Sequence, residues 1–343
     1  MNIVVLAGGL SEERDVSLSS GTKIQNALIK NGHHAILADA FMGYPLSGTI
    51  EDAFKNAKPS ENAAVGITAP DIPALKKMRG GDENVYFGEN IIELCRFADI
   101  VFMALHGENG ENGRIQAAFD LLGIKYTGSS YLASACAMDK NITKQIFLSN
   151  GVTSPRGKAY KKENISEIRS FGELPLVIKP CNNGSSIGIS IARTEDELTK
   201  AVEDAFKYDD MILVEEYIKG REFSVSVLGN KALPSIEIIP KSGFYDYKNK
   251  YQSGCTTEIC PAPVTEEEEN NLRQAALKAF NALGLFAYAR MDFIMTEDKK
   301  VYCLEANTLP GMTPTSLMPQ EAAAIGIDYG GLCEKIIEIS LNR

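Results

Sequence analysis

The residues best suited to chemistry lie between 286 and 313, in the run FAYARMDFIMTEDKKVYCLEANTLPGMT. It reads as two strands joined by the polar turn 296–300. Strand side chains alternate between faces. Tyr288, Arg290, Asp292 and Ile294 therefore share one face, and Ala289, Met291, Phe293 and Met295 the other. On the second strand Val301, Cys303, Glu305 and Asn307 are expected on one face, with Tyr302, Leu304 and Ala306 behind them. Paired through the turn, Asp292, Glu305 and Asn307 converge beside Arg290. Two carboxylates and a carboxamide oxygen are hard donors that suit Mg²⁺, which keeps waters and nucleotide phosphates as further ligands. An ordinary hairpin with one wet face shows the same alternation. The turn-rich run 308–313 favours a site, because Gly311 lets a backbone N–H approach a ligand closely.

Other stretches carry chemistry of a matching kind. Lys179 ends an apolar strand (174–180), and the loop CNNGSSIG (181–188) leads to a second strand, 189–192. Such a loop, with Gly184, Ser185 and Ser186, can lie over phosphates while Lys140 and Lys179 supply charge; a plain hairpin turn is the alternative. The strand 211–218, MILVEEYI, ends in acids and can hold a purine, although alone it reads as any edge strand does. Glu222 precedes a further strand, 223–228. The run GFYDYKNKY (243–251) is aromatic, charged and aperiodic; it reads as a water-excluding lid, or as a loop anchored by its tyrosines.

These segments need a scaffold, and the N-terminal half supplies its pattern. A strand (2–7), a Gly8-Gly9 turn, a helix ending at Asn31-Gly32 and a strand (34–38) open a parallel sheet, whose strand ends collect ligands. Glu12, Glu13 and Asp15 at the helix start would repel a phosphate; they complement the helix dipole or meet a cationic group such as an ammonium. A helix (91–98), a strand (99–105), His106-Gly107, a helix (114–122) and a short strand (123–128) follow. His106 stands at a strand end among glycines, where a structural and a ligand-binding histidine are both expected. Residues 41–90 read as loops with short helices. One helix is expected to carry Met138-Asp139-Lys140 and run to about 150; others span 195–208 and 265–283. The boundaries divide the chain at 1–128, 129–215 and 216–343.

Composition narrows the function class. Lys plus Arg number 35 against 45 for Asp plus Glu, so the net charge of −10 argues against nucleic-acid and acidic-membrane partners. The seven cysteines form no C-x-x-C pair, which disfavours a disulfide framework or a zinc site. No run reaches the ~18 apolar residues of a membrane span. A soluble, cytoplasmic protein is expected.

Taken in order, the motifs GGLSEERDVSLSSG (8–21), LHGENGENG (105–113), MDK (138–140), IKPCNNGSSIG (178–188), VEEYI (214–218), FYDYKNKY (244–251), ARMD (289–292) and LEANTLPGMTPTSLMP (304–319) resemble the ATP-grasp superfamily, and within it the D-alanine–D-alanine ligases. The resemblance implies an α/β fold: a Rossmann-like N-terminal domain, then a two-part ATP-grasp unit. It implies ATP as co-substrate, two Mg²⁺ or Mn²⁺ ions, D-alanine as substrate and a homodimer. Lys140, Lys179, Gly184, Ser185 and Ser186 would hold phosphates, and Glu215, Ile218 and Glu222 adenosine. Asp292, Glu305 and Asn307 would bind the metals. Glu13 would take the ammonium of the first D-alanine, with His106 near its carboxylate. Arg290 and the N–H of Gly311 would form an oxyanion site; Ser316 and Leu317 would seat the second carboxylate. Ser185, Tyr251 and Glu13 would form a hydrogen-bonded set, and Lys250 would reach the γ-phosphate. Relatives making D-alanyl-D-lactate resemble one another in a histidine-bearing lid, and this lid has none; D-serine as second substrate stays open.

Overall fold

The computed structural model describes residues 1–61, 70–82, 84–182, 184, 187–241 and 256–343. The first third forms β1 (Asn2–Ala7), α1 (Arg14–Lys30), β2 (His34–Asp39), α2 (Ile50–Lys55), α3 (Ile72–Arg79), α4 (Ile91–Phe97), β3 (Ile100–Met103) and α5 (Arg114–Leu122). Its strands pair in parallel in the order β2-β1-β3. The expected strand at 123–128 is reduced to one bridge, Val101 to Tyr126. Gly123 and Gly128 bracket it at positive φ, a backbone turn that ends pairing on both sides.

Helix α1 buries Val16, Ile24 and Leu28, the last two in the main core, and its first turns also pack small polar groups. Ser17 donates to the Ala104 carbonyl (2.7 Å) and accepts from the Gly8 N–H (2.9 Å), while Ser11 donates to the His106 carbonyl (2.7 Å). Hydroxyls thus take up carbonyls that the short β3 leaves unpaired at its C-terminal end. That end becomes part of the site.

A second sheet has the order β4-β7-β5-β6, all antiparallel. It follows α6 (Tyr131–Met138) and α7 (Lys140–Ser149), and contains β4 (Gly157–Lys161), β5 (Leu176–Pro180), β6 (Ser190–Ala192) and β7 (Met211–Glu216), with α8 (Glu195–Ala205) packed on β5 and β6. One helix was expected through Lys140; two are found. Asp139 breaks it, because its carboxylate accepts the N–H groups of Asn141 and Ile142 and so caps a new helix.

The third sheet runs β11-β10-β8-β12-β13, with β9 paired to β8. Its strands are β8 (Arg221–Leu228), β9 (Lys231–Ala232), β10 (Ile236–Pro240), β11 (Thr256–Ile259), β12 (Tyr288–Met295) and β13 (Val301–Asn307). Helix α9 (Glu266–Ala282) covers one face, starting at a Thr265/Glu268 capping box. Helices α10 (Leu317–Ala323) and α11 (Tyr329–Leu341) turn back, and Leu332, Cys333, Ile336 and Ile337 join the core around β1. The C-terminal segment therefore ties the parallel sheet to the largest one.

The β12–β13 hairpin forms as expected, with one correction. Asp292 pairs with Glu305 but Phe293 pairs with Cys303, so Leu304 is a bulge. Val301 and Cys303 consequently pack into the core with Phe293, while Leu304 turns to the same cleft as Glu305. A bulge resets strand alternation, which a strict period of two cannot foresee.

Candidate active site

Two cavities meet at this hairpin. The register sets Arg290 opposite Asn307 and Asp292 opposite Glu305, so the expected convergence is present. Arg290 grips Asp292 with two N–H groups, Nε to Oδ1 at 2.9 Å and Nη2 to Oδ2 at 2.8 Å. Ser224 donates to Asp292 Oδ1 at 3.0 Å, and Asn307 Nδ2 to Oδ2 at 3.1 Å. A carboxylate only accepts, so this contact fixes the Asn307 amide with its oxygen turned away from Asp292. The donor set of Asp292, Glu305 and the Asn307 oxygen is all hard oxygen, as Mg²⁺ requires. Among the described residues no group of three His, Cys, Asp or Glu side chains is arranged to hold a metal; the cluster relies on the carboxamide.

A cavity of about 650 Å³ opens on one side of the hairpin, lined by Lys179, Glu215, Ile218, Glu222, Asp292 and Glu305 among others. It lies between the second and third sheets, a volume in the range of small-molecule sites. Lys179 and Glu215 come from adjacent strands β5 and β7 and pair at 2.5 Å, both nearly excluded from water. Lys144 of α7 pairs with the other Glu215 oxygen. Burial pushes the Glu215 carboxyl up, but the two lysines outweigh it and the net shift is down. Glu216 accepts the Arg156 N–H at 2.7 Å, so that carboxylate helps pair β7 to the preceding chain. Lys140, Gly184, Glu305 and Asn307 line a narrower crevice that continues from this cleft.

The second cavity, about 520 Å³, brings together Glu13, His106, Gly184, Arg290, Asn307, Gly311, Ser316 and Leu317. Arg290 and Asn307 thus face the second cavity while their partner Asp292 faces the first. Glu13 stands at the N-cap position of α1 without a side-chain cap bond, and Gly107, whose φ of +72° favours glycine, packs so close that a Cβ would lie 2.9 Å from Glu13 Oε2. Gly184 brings the loop after β5 against the same Glu13 oxygen, which a Cβ there would meet at 3.3 Å. Ser316 caps the LPGMT loop, accepting from the Thr313 N–H at 3.0 Å just before α10.

His106 lines this cavity with both ring nitrogens engaged. Nδ1 meets the Leu309 carbonyl at 2.9 Å and Nε2 meets Ser20 Oγ at 3.1 Å. A carbonyl only accepts, so Nδ1 carries the proton and Nε2 accepts from Ser20. Burial lowers the pKa of His106, with the Arg290 charge acting in the same sense against Glu13 and the Leu309 carbonyl, and the ring stays neutral. Ser20 in turn accepts the Met312 N–H at 3.4 Å. The ring therefore braces the loop on either side of Gly311.

Several residues here lie outside the sequence expectations. Glu111 accepts the N–H groups of Gly107 (2.8 Å) and Leu309 (3.2 Å), bridging the two loops of the second cavity. Burial, then the nearby Glu13 charge, raises its carboxyl to about 8. It lies in the GENGENG run, and nothing in its spacing separates it from Glu108. Ser20 and Lys144 were not expected either, since their partners Met312 and Glu215 lie far along the chain. The expected Ser185, Ser186, Lys250 and Tyr251, with the rest of 244–251, lie outside the described residues.

Comparison with known proteins gives one answer. Family models described as "D-ala D-ala ligase N-terminus" and "D-ala D-ala ligase C-terminus" match residues 2–129 and 146–338. The D-alanine–D-alanine ligase of Pediococcus pentosaceus is 45% identical over 341 residues, 98% of this chain and 97% of its own. The crystal structure of the Bacillus anthracis D-alanine–D-alanine ligase superposes with a TM-score of 0.78 at 34% identity, covering 100% of this chain and 98% of that one. The same enzyme complexed with ATP gives 0.76 at 32% identity, with the same coverage. The VanG D-Ala:D-Ser ligase of Enterococcus faecalis gives 0.76 at 30% identity, covering 99% of each chain.

Proposed function

The chain belongs to the D-alanine–D-alanine ligase family, with the ATP-grasp fold, and from that premise we propose that its two cavities are the nucleotide and amino-acid halves of one ligase site. It is an enzyme that joins two D-alanines at the expense of ATP, for peptidoglycan precursor synthesis. The observation that carries the two-cavity reading is Arg290, which reaches from the acid cluster of the first cavity into the second. A carboxylate is a poor electrophile, so activation by phosphoryl transfer and attack by an amine must occur where the cavities meet.

In this reading Lys140 and Lys179 hold phosphates with Gly184, Ser185 and Ser186, while Glu215, Ile218 and Glu222 hold adenosine. Asp292, Glu305 and Asn307 would hold two Mg²⁺ or Mn²⁺ ions, which would offset charge on the transferred phosphoryl group. Glu13 binds the first ammonium. His106 acts through the loop it braces, since Leu309 and Ser20 occupy both its nitrogens. Arg290 and the Gly311 N–H stabilise the oxyanion of the tetrahedral intermediate. Ser316 and Leu317 seat the second substrate, and Lys250 and Tyr251 act from the lid. The chain divides at 1–128, 129–215 and 216–343 and works as a cytoplasmic homodimer. Among the described residues no helix is long and apolar enough to cross a membrane.

Phosphate release from ATP and Mg²⁺ is the test, with D-alanine alone, with D-alanine plus D-serine or D-lactate, and with L-alanine. D-alanyl-D-alanine is expected as the main product by mass. A dominant mixed product would overturn the second-substrate assignment, and no D-alanine-dependent release would overturn the reading of the second cavity.

A further inference from the structure

The nucleotide cleft contains a charge arrangement that its proposed ligand contacts leave unexplained. Glu215 is 2% exposed, and each of its oxygens meets a different lysine, Lys179 from β5 and Lys144 from α7. Lys179 and Glu215 line the cleft, whereas Lys144 does not. Lys144 approaches from behind, its Nζ also donating to the Pro155 carbonyl at 2.5 Å and lying 3.5 Å from Ser154 Oγ. Gly157 makes room for its chain, since a Cβ there would meet Lys144 Cε at 2.5 Å. Two cations thus serve one buried carboxylate, and only one of them can reach a ligand.

A buried carboxylate left without a cation is strongly destabilising. If Lys179 alone balanced Glu215, moving its ammonium to a phosphate would strand that charge. We propose that Lys144 is a positioning residue: it keeps Glu215 paired and so releases Lys179 to the phosphate groups of the nucleotide. The inference rests on the nucleotide reading of the cleft and adds an ion-pair exchange to it. Before binding, Glu215 is shared by two lysines; after binding, Lys144 holds it alone. No proton or covalent bond changes hands, and Lys144 never touches the nucleotide.

The test is ATP affinity and steady-state kinetics of K144M, K144R, E215Q and the double variant K144M/E215Q in the full chain. In K144M, Lys179 still pairs Glu215, so a cooperative melt is expected to survive. ATP binding then competes with that pair, and KM for ATP should rise by about tenfold or more while KM for D-alanine holds. K144R should restore ATP affinity. Glu215 also faces adenosine, so E215Q is the reference for the double variant: with no charge left to detain Lys179, adding K144M to E215Q should leave ATP affinity unchanged, an outcome that lost packing would not produce. Unchanged ATP affinity in K144M, a loss on adding K144M to E215Q as large as in the parent, or loss of the cooperative melt in K144M would each overturn the role of Lys144. Failure of the unsubstituted protein to bind ATP would instead overturn the reading of the cleft, and this exchange with it.

Discussion

The two cavities are built on different principles. In the nucleotide cleft the charged groups sit on neighbouring strands, Lys179 on β5 beside Glu215 on β7 and Asp292 on β12 beside Glu305 on β13. Backbone ladders fix their separations. In the amino-acid cavity most of the wall is loop, the turn before α1, the run after β3 and the segment between β13 and α10, with α1 and strand residues such as Arg290 and Asn307 completing it. These loops are held by side chains reaching across hundreds of residues, such as His106 to Leu309, Ser20 to Met312 and Glu111 to Leu309. A sheet delivers charges at fixed spacing and tolerates their mutual field. A set of braced loops can be tuned to a small substrate, and it depends on each brace.

If that contrast is right, damage to the two sides should differ in kind. The largest effect is expected on the cleft. Chelation of divalent metal should reduce ATP-dependent phosphate release to background, with recovery on adding Mg²⁺. K179M should lower kcat/KM by about 10²–10³-fold, because it removes a cation from the phosphate site. Turnover that persists in excess chelator would break the assignment of Asp292, Glu305 and Asn307.

Arg290 belongs to both sides, so its replacement sharpens the comparison. R290K removes the two-pronged grip on Asp292 and a planar donor from the second cavity. A fall in kcat of about 10²-fold with little change in KM for ATP is expected from loss of an oxyanion donor. A rise in KM for ATP of the same size would move Arg290 functionally into the cleft.

A smaller effect isolates the braces. S20A deletes the hydroxyl between His106 and the Met312 N–H. A single buried hydrogen bond is worth about 1 kcal/mol, so KM for D-alanine should rise by roughly five- to tenfold. KM for ATP should stay put. Equal changes in both constants would show that the loop is not an independent brace.

The same contrast explains what the sequence disclosed. Alternation placed Arg290, Asp292, Glu305 and Asn307 together because a hairpin is a local object. It misplaced Cys303 and Leu304 because a single bulge at Leu304 resets the phase, and no residue type marks it. The helix break at Asp139 was legible in principle, since an aspartate before a helix is a cap; the apolar run YLASACAM leading into it hid it. Lys140 and Lys179 stood out by their neighbours. Lys144, Ser20 and Glu111 did not, since their partners Glu215, Met312 and Leu309 lie far along the chain. The resemblance sharpened the roles of Glu13, His106 and Gly311 and alone gave Ser316 and Leu317 theirs, and the fold then brought those five to one cavity.

The least effect on turnover is expected from Glu321, and its value is as a control. It lines neither cavity; from α10 it accepts the Ser226 N–H at 2.7 Å, at a stretch of β8 between its pairings with β9 and β10. It is fully buried, and burial raises its carboxyl to about 8 against the opposing Ser226 hydrogen bonds and the Arg290 charge. Its pKa unfolded is about 4.3, so the folded state holds the proton more tightly. Stability from this group is therefore fully present below about pH 4.3 and is lost as pH rises towards 8. Glutamine stays neutral throughout and escapes that loss. E321Q should gain on the parent between pH 5 and pH 9 by a few kcal/mol at most, a shift of several degrees in relative Tm. Thermal melts of both proteins across that range would read it, and parallel curves would sink the idea. Among these substitutions E321Q should move turnover at neutral pH least, because Glu321 lines neither cavity.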